Sequence, residues 1–189
     1  MSEQLKLWND DPILHNVFFA ARPDAATAAS ITRMAQDIVE SRHLAAKPLP
    51  PERLHVSLFA VGGFEGACPP TVIDAAIAVA GTVPTAPFEV AFDRVASFGG
   101  GNGKRALVLT GREGVTGLVR FQQALSSTMF RAGVGVRQRT PFTPHLTMIY
   151  TDQVCEFCIK PMSWTFDEFV LIDSLQGRSR HVLLGRWPR

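Results

Sequence analysis

Short apolar runs alternate along this chain with longer stretches of helical periodicity. Residues 14–21 (LHNVFFAA) are apolar enough for a buried strand, and Pro23 and Asp24 then open a helix. Within that helix Ile31, Met34, Ala35 and Ile38 recur at helical spacing on one face. The proline-rich segment KPLPPER at 47–53 cannot continue a helix and delivers the chain to an alternating strand over 54–61. An alanine-rich helix over 71–80, closed by Gly81, comes next, followed by strands over about 86–96 and 105–111 joined by FGGGNGK. A third helix covers 115–132, with Leu118, Phe121, Leu125 and Met129 inward and Gly133 placed to end it. The rest of the pattern predicts strands near 134–138 and over 143–150, 163–173 and 181–187, with a turn at Gln176 and Gly177 before the last.

The helices over 24–43 and 115–132 each precede a strand that carries His-x-(Ser/Thr)-apolar. A strand–helix–strand unit ending in that motif therefore occurs twice, which suggests two similar lobes facing each other across a groove. Strands and helices mixed without strict alternation predict an α+β fold. At 189 residues, with no low-complexity stretch or long linker, the chain is expected to form one domain of two lobes over 1–189.

Composition changes this picture little. A hydrophobic fraction of 46% with 19% charged residues argues against disorder, and a net charge of +2 is too small for wrapping duplex DNA. The cations are uneven, however: Arg131, Arg137 and Arg139 cluster before the second motif, and Arg178, Arg180, Arg186 and Arg189 crowd the C-terminus. A locally positive cleft for a small anion fits that distribution as well as a solvated basic face does. The three cysteines Cys68, Cys155 and Cys158 make no even disulfide framework, the polar start is unlike a secretory signal, and no apolar run approaches membrane-spanning length. A reduced, cytoplasmic protein acting as a monomer, with no membrane partner, is the expectation.

The chemistry lies in Leu54-His55-Val56-Ser57-Leu58 and Pro144-His145-Leu146-Thr147-Met148. In a strand alternate side chains share a face, so His55 sits with Ser57, and His145 with Thr147, while their neighbours turn to a core. Two such displays brought together would surround one volume with two imidazoles and two hydroxyls. Opening a cyclic phosphate needs a base for water and an acid for the departing ribose oxygen, and histidine serves either role near neutrality. The hydroxyls of Ser57 and Thr147 can donate to the non-bridging phosphate oxygens. Neither a metal nor another cofactor enters this scheme.

The pair HVSL and HLTM resembles the doubled H-x-(T/S)-hydrophobic signature of the 2H phosphoesterases, in particular the LigT-like 2′-5′ RNA ligase and RNA 2′,3′-cyclic phosphodiesterase group. FFA at 18–20, PPERLHVSL, PFTPHLTM and FVLIDS at 169–174 are similar to family segments in the same order. The resemblance implies two antiparallel sheets around a groove lined by His55, Ser57, His145 and Thr147, with RNA ends or small cyclic nucleotides as partners. It also implies that His145 activates water and His55 protonates the 3′-oxygen, giving a 2′-phosphate, with 2′-5′ joining as the reverse reaction. Asn16, Thr140 and Tyr150 stand where relatives often carry cations, which leaves two other readings open: a nucleotide- or RNA-binding module, and a phosphodiesterase for a non-RNA substrate such as an ADP-ribose cyclic phosphate. Phe19 and Tyr150 are candidates for stacking on a base, and Thr143 shares strand parity with His145.

Other signals are weaker. FGGGNGK lacks the hydroxyl residue and glycine spacing of a phosphate loop and leads into a strand, so it reads as a hairpin turn. Cys155-x-x-Cys158 has no second pair to complete a zinc site. His15, His43 and His181 have no evident catalytic partner, and Asp167, Glu168 and Asp173 read as surface charges.

Overall fold

A computed structural model describes residues 13–84, 86–99, 103–136 and 141–188. Asp24 opens the first helix, its carboxylate accepting from the Thr27 backbone N–H at 2.9 Å and from the Thr27 hydroxyl. The elements are β1 (Leu14–Ala21), α1 (Ala25–Ser41), β2 (Val56–Glu65), α2 (Pro70–Ala80), β3 (Phe88–Phe98), β4 (Arg105–Thr110), α3 (Thr116–Arg131), β5 (His145–Thr151), β6 (Glu156–Phe166), β7 (Glu168–Leu175) and β8 (Arg180–Pro188). Short 3-10 turns at Pro51–Arg53 and Glu113–Val115 lead towards β2 and α3.

The strands make two four-stranded antiparallel sheets, ordered β2-β1-β7-β8 and β5-β4-β3-β6. The fold is the expected α+β arrangement, and the doubled unit is visible in it. The runs β1–α1–β2 and β4–α3–β5 occupy equivalent places, so each motif strand is the edge strand of its sheet. Helix α1 packs against β5 and β6 of the other sheet, and α3 against β2 and β3. One apolar cluster joins Phe19, Leu58 and Phe169 of the first sheet to Phe92, Leu107 and Met148 of the second.

Two predicted strands need correction. No strand forms over residues 134–136: Gly135 holds a φ of +88°, outside the extended region, and residues 137–140 are not among those described. The run over 163–173 is two strands in different sheets, with Phe166 paired to Phe88 and Glu168 to Pro188 on either side of Asp167. Inward residues run Trp164, Phe166, then Phe169, Leu171, so the alternation slips by one at the crossing. The first half of β6 escaped the pattern because Pro161 interrupts it, which is tolerated on the edge strand that β6 is.

Candidate active site

Both motif strands depart from simple alternation at the same place. Against β1, Ser57 pairs with Ala20 and Phe59 with Phe19, leaving Leu58 as an unpaired extra residue. Against β4, Thr147 pairs with Val108 and Ile149 with Leu107, leaving Met148 extra. These are β-bulges, each adding one residue to the edge strand. Their effect is to keep Leu58 and Phe59, and likewise Met148 and Ile149, together in the core. The next residue then returns to the motif face. Thr110, Val108 and Ala106 alternate along β4 and pair with His145, Thr147 and Tyr150, so those three share one face.

Loops from each half brace the other. The Leu49 N–H donates to the Met148 carbonyl at 2.7 Å, and Pro48 bridges to Ile149. In return the Val136 N–H donates to the Ala60 carbonyl at 3.1 Å. Each motif strand is thus held by the chain that leads into the other motif.

The two imidazoles are oriented alike. His55 Nδ1 lies 2.7 Å from the Arg53 carbonyl and His145 Nδ1 lies 2.7 Å from the Thr143 carbonyl. A carbonyl only accepts, so Nδ1 carries the proton in both rings and Nε2, on the far side, is left for the groove. A phenylalanine flanks each ring: Phe18 is centred 5.2 Å from His55 and Phe98 is 5.0 Å from His145. Burial lowers the pKa of His55 most; the Arg53 carbonyl works against that, and the charges of Arg53, Arg22 and His145 lower it further.

The family model of the 2′-5′ RNA ligase superfamily matches residues 23–178. The chain belongs to that superfamily, that of the 2H phosphoesterases. Escherichia coli LigT in its apo form is similar in structure, with a TM-score of 0.72 at 24% identity over 95% of this chain and 98% of that one. The protein TT0787 of Thermus thermophilus gives 0.71 at 19% identity over 92% and 97%. Kluyveromyces marxianus Usb1 gives 0.54 at 12% identity over 93% and 98%. Among curated proteins none matches the sequence. Membership and the LigT-like fold support an activity of the 2H phosphoesterase, 2′-5′ RNA ligase type.

In this 2H phosphoesterase Ser57 is exposed and Thr147 half-exposed, each two residues beyond its histidine. Tyr150 is 49% exposed and reaches the motif face only because of the bulge. Thr143 serves through its backbone, as the acceptor that orients His145. Phe19 is a correction: it is fully buried between Phe169 and Trp187, at 5.9 and 5.6 Å, and offers no ring to a base. Phe18, its neighbour, takes that position beside His55. Asn16 pairs with Gly63 on the groove side of β1, while Arg137, Arg139 and Thr140 lie outside the described residues. The FGGGNGK segment joins β3 to β4 as an antiparallel hairpin, with Gly100 to Asn102 outside the described residues.

Two residues were misjudged from sequence. Asp173 is not a surface charge but a buried one, its Oδ2 lying 2.7 Å from His15 Nδ1 on the helix side of the sheet. His181, for which the sequence offers no evident partner, has its ring edge-on to His55 at 5.3 Å and 72°, and to Phe18 at 6.2 Å. Burial first, and then the charges of His55, Arg53 and Arg22, lower the His181 pKa to about 4. It is a neutral hydrogen-bonding group at neutral pH. Only its place in β8, across β7 from β1, brings it to the groove, and no local motif signals that. Cys155 is buried and Cys158 exposed, so the two thiols do not face one site. Among the described residues no three His, Cys, Asp or Glu side chains gather as metal ligands, and no helix is long and apolar enough to cross a membrane.

Proposed function

We propose that this protein is a metal-independent phosphodiesterase that opens the 2′,3′-cyclic phosphate of an RNA end or nucleotide to a 2′-phosphate. The observation that carries this reading is the matched pair of imidazoles, each with its Nδ1–H tied to a carbonyl two residues upstream and its Nε2 without a partner among the described residues. His145 Nε2 takes a proton from water as the water oxygen bonds to phosphorus. The bond from phosphorus to the 3′-oxygen breaks, and His55, protonated at Nε2, gives its proton to that oxygen. Ser57 and Thr147 donate to the non-bridging oxygens, where charge rearranges. With a ribose 5′-hydroxyl in place of water as the nucleophile, the same step opens the cyclic phosphate, frees the 3′-hydroxyl and joins RNA through a 2′-5′ linkage. LigT has been solved with 3′-AMP, with ATP and with NADP+, which supports a nucleotide-sized ligand in this fold.

His55 must be protonated to act as the acid, and burial first, then the surrounding cations, oppose that in the free enzyme. An anionic cyclic phosphate between the rings supplies the opposite charge, so protonation of His55 is coupled to substrate binding. The test is hydrolysis of the four nucleoside 2′,3′-cyclic phosphates in EDTA, with the product isomer identified by phosphorus NMR. The expected product is the 2′-phosphate, with turnover reduced about 10²- to 10⁴-fold in His55→Ala and in His145→Ala. Retained activity in both variants would refute the mechanism.

A further inference from the structure

A cavity of about 600 Å³ opens beside His55, and Arg22, Lys47, Arg53, Arg180 and His181 line it. The carboxylate-bearing Glu52 also borders it, but the contact that holds Arg22 there is to the Glu52 backbone carbonyl, at 2.8 Å. The ion pairs found among the described residues involve none of these four cations. The Arg53 Nε is buried with no hydrogen-bond partner, an arrangement costly for a guanidinium unless something else completes it. Four positive side chains, an orphaned Nε–H and an imidazole thus converge on one space that a neutral ligand would not satisfy.

This space shares two walls with the candidate active site. Arg53 supplies the carbonyl that orients His55, and His181 packs edge-on against the His55 ring. In the proposed reaction His55 protonates the 3′-oxygen, which places the substrate ribose on the His55 side of the phosphate. The cavity opens on that same side of the site, past Arg53 and His181, so the 5′-oxygen of that ribose is the substituent able to carry a further anion into it. From this geometry we infer that the cavity is a second anion subsite, which takes a phosphate carried on the 5′-oxygen of the ribose bearing the cyclic phosphate. Arginine suits such a site because its planar N–H fork matches phosphate oxygens, and a neutral His181 can add a donor. The preferred substrate class is a 2′,3′-cyclic phosphate with a phosphate at its 5′ position, as an RNA end or as a 5′-phosphorylated nucleotide, rather than a bare nucleoside cyclic phosphate.

The inference rests on the proposed reaction for its orientation, so its test uses binding as well as turnover. Calorimetry would compare uridine 2′-phosphate with uridine 2′,5′-bisphosphate. The 5′-phosphate is expected to tighten Kd roughly 10- to 100-fold, the worth of one or two charge-assisted hydrogen bonds. In the double variant Arg180→Gln, Lys47→Gln the ratio of the two Kd values should fall towards one. Equal affinity for both ligands in the unaltered protein, or a ratio unchanged in the variant, would overturn the subsite. On the turnover side, 5′-phosphouridine 2′,3′-cyclic phosphate and the dinucleotide UpU 2′,3′-cyclic phosphate should each outpace uridine 2′,3′-cyclic phosphate in kcat/KM. Whichever of the two is faster identifies the source, free nucleotide or RNA end, and supports the subsite either way. A binding preference without turnover of any cyclic phosphate would sink the proposed reaction and leave the subsite standing.

Discussion

Replacing Gly135 with alanine should damage both stability and activity, and Gly133 supplies the control. Both glycines hold left-handed backbone, at φ +88° and +70°, where an L-residue costs roughly 1–2 kcal/mol. They differ in what a Cβ would meet. At Gly133 nothing lies within 4 Å, whereas at Gly135 the Cβ would strike the Phe59 ring and approach the Ala60 carbonyl to 2.8 Å. Phe59 is 1% exposed and packed in the core, so it has little room to move, and overpacking of this kind costs about 1–3 kcal/mol more. Gly133→Ala should therefore lower Tm by roughly 2–8 °C and Gly135→Ala by about 4–20 °C, given 2–4 °C per kcal/mol for a chain of this size. Phe59 follows Ser57 by two residues in the same strand, so displacing it also displaces the groove face. A fall of about 10- to 100-fold in kcat/KM on a cyclic phosphate is expected for Gly135→Ala. Thermal melts and steady-state kinetics on the two variants check this. If both melt within about 1 °C of each other with equal activity, the claim that segment 134–136 braces the motif strand is wrong.

Arg53 acts on His55 in two opposed ways, and a substitution separates them: its carbonyl favours the charged imidazole, while its guanidinium disfavours it. Arg53→Met keeps the carbonyl and removes the cation, so the His55 pKa rises and the protonated acid survives to higher pH. The high-pH limb of kcat/KM, measured on uridine 2′,3′-cyclic phosphate, should move upward. If the low-pH limb moves upward instead, His55 is the base and the roles are reversed. On the other side of the sheet, His15→Leu leaves Asp173 (12% exposed) without its imidazole partner and should cost about 2–3 kcal/mol in urea denaturation. The double variant His15→Leu, Asp173→Leu should recover most of that, whereas a single-variant loss below about 0.5 kcal/mol would show the pair to be unimportant.

What could be read from the sequence depended on whether the signal was local. Helices α1 and α3 were legible because Ile31, Ala35 and Ile38, and Leu118, Phe121, Leu125 and Met129, repeat within a few turns and are all buried. The motif strands were legible through Ser57 and Thr147, because alternation holds that far. It misleads beyond them: strict parity puts Phe59 and Ile149 beside the histidines, and the bulges at Leu58 and Met148 return both to the core. The crossing at Asp167 did leave a trace, the slip between Phe166 and Phe169. Of the groups around the cavity only Arg180 left a trace, in the C-terminal cluster; His181, Arg22, Lys47 and Arg53 left none, since they meet only through the order β2-β1-β7-β8 and the path of loop 47–53.

The braces explain why so little of the doubled unit survives as sequence similarity. What the two halves share is a geometry: an edge strand, a bulge after the hydroxyl residue, a backbone carbonyl on Nδ1, and a loop from the opposite half. Most of these are main-chain features, which many sequences can supply. Only the positions whose side chains face the groove must keep their chemistry, and those are the histidine and the hydroxyl two residues on. The orientation of each imidazole depends on the loop just before it, and that same stretch of chain holds the other motif strand through Leu49 or Val136. A change in either approach loop therefore acts on both rings at once. Acid and base are set by one connected framework, and substitutions in the two loops should be non-additive in catalysis even where their residues never touch.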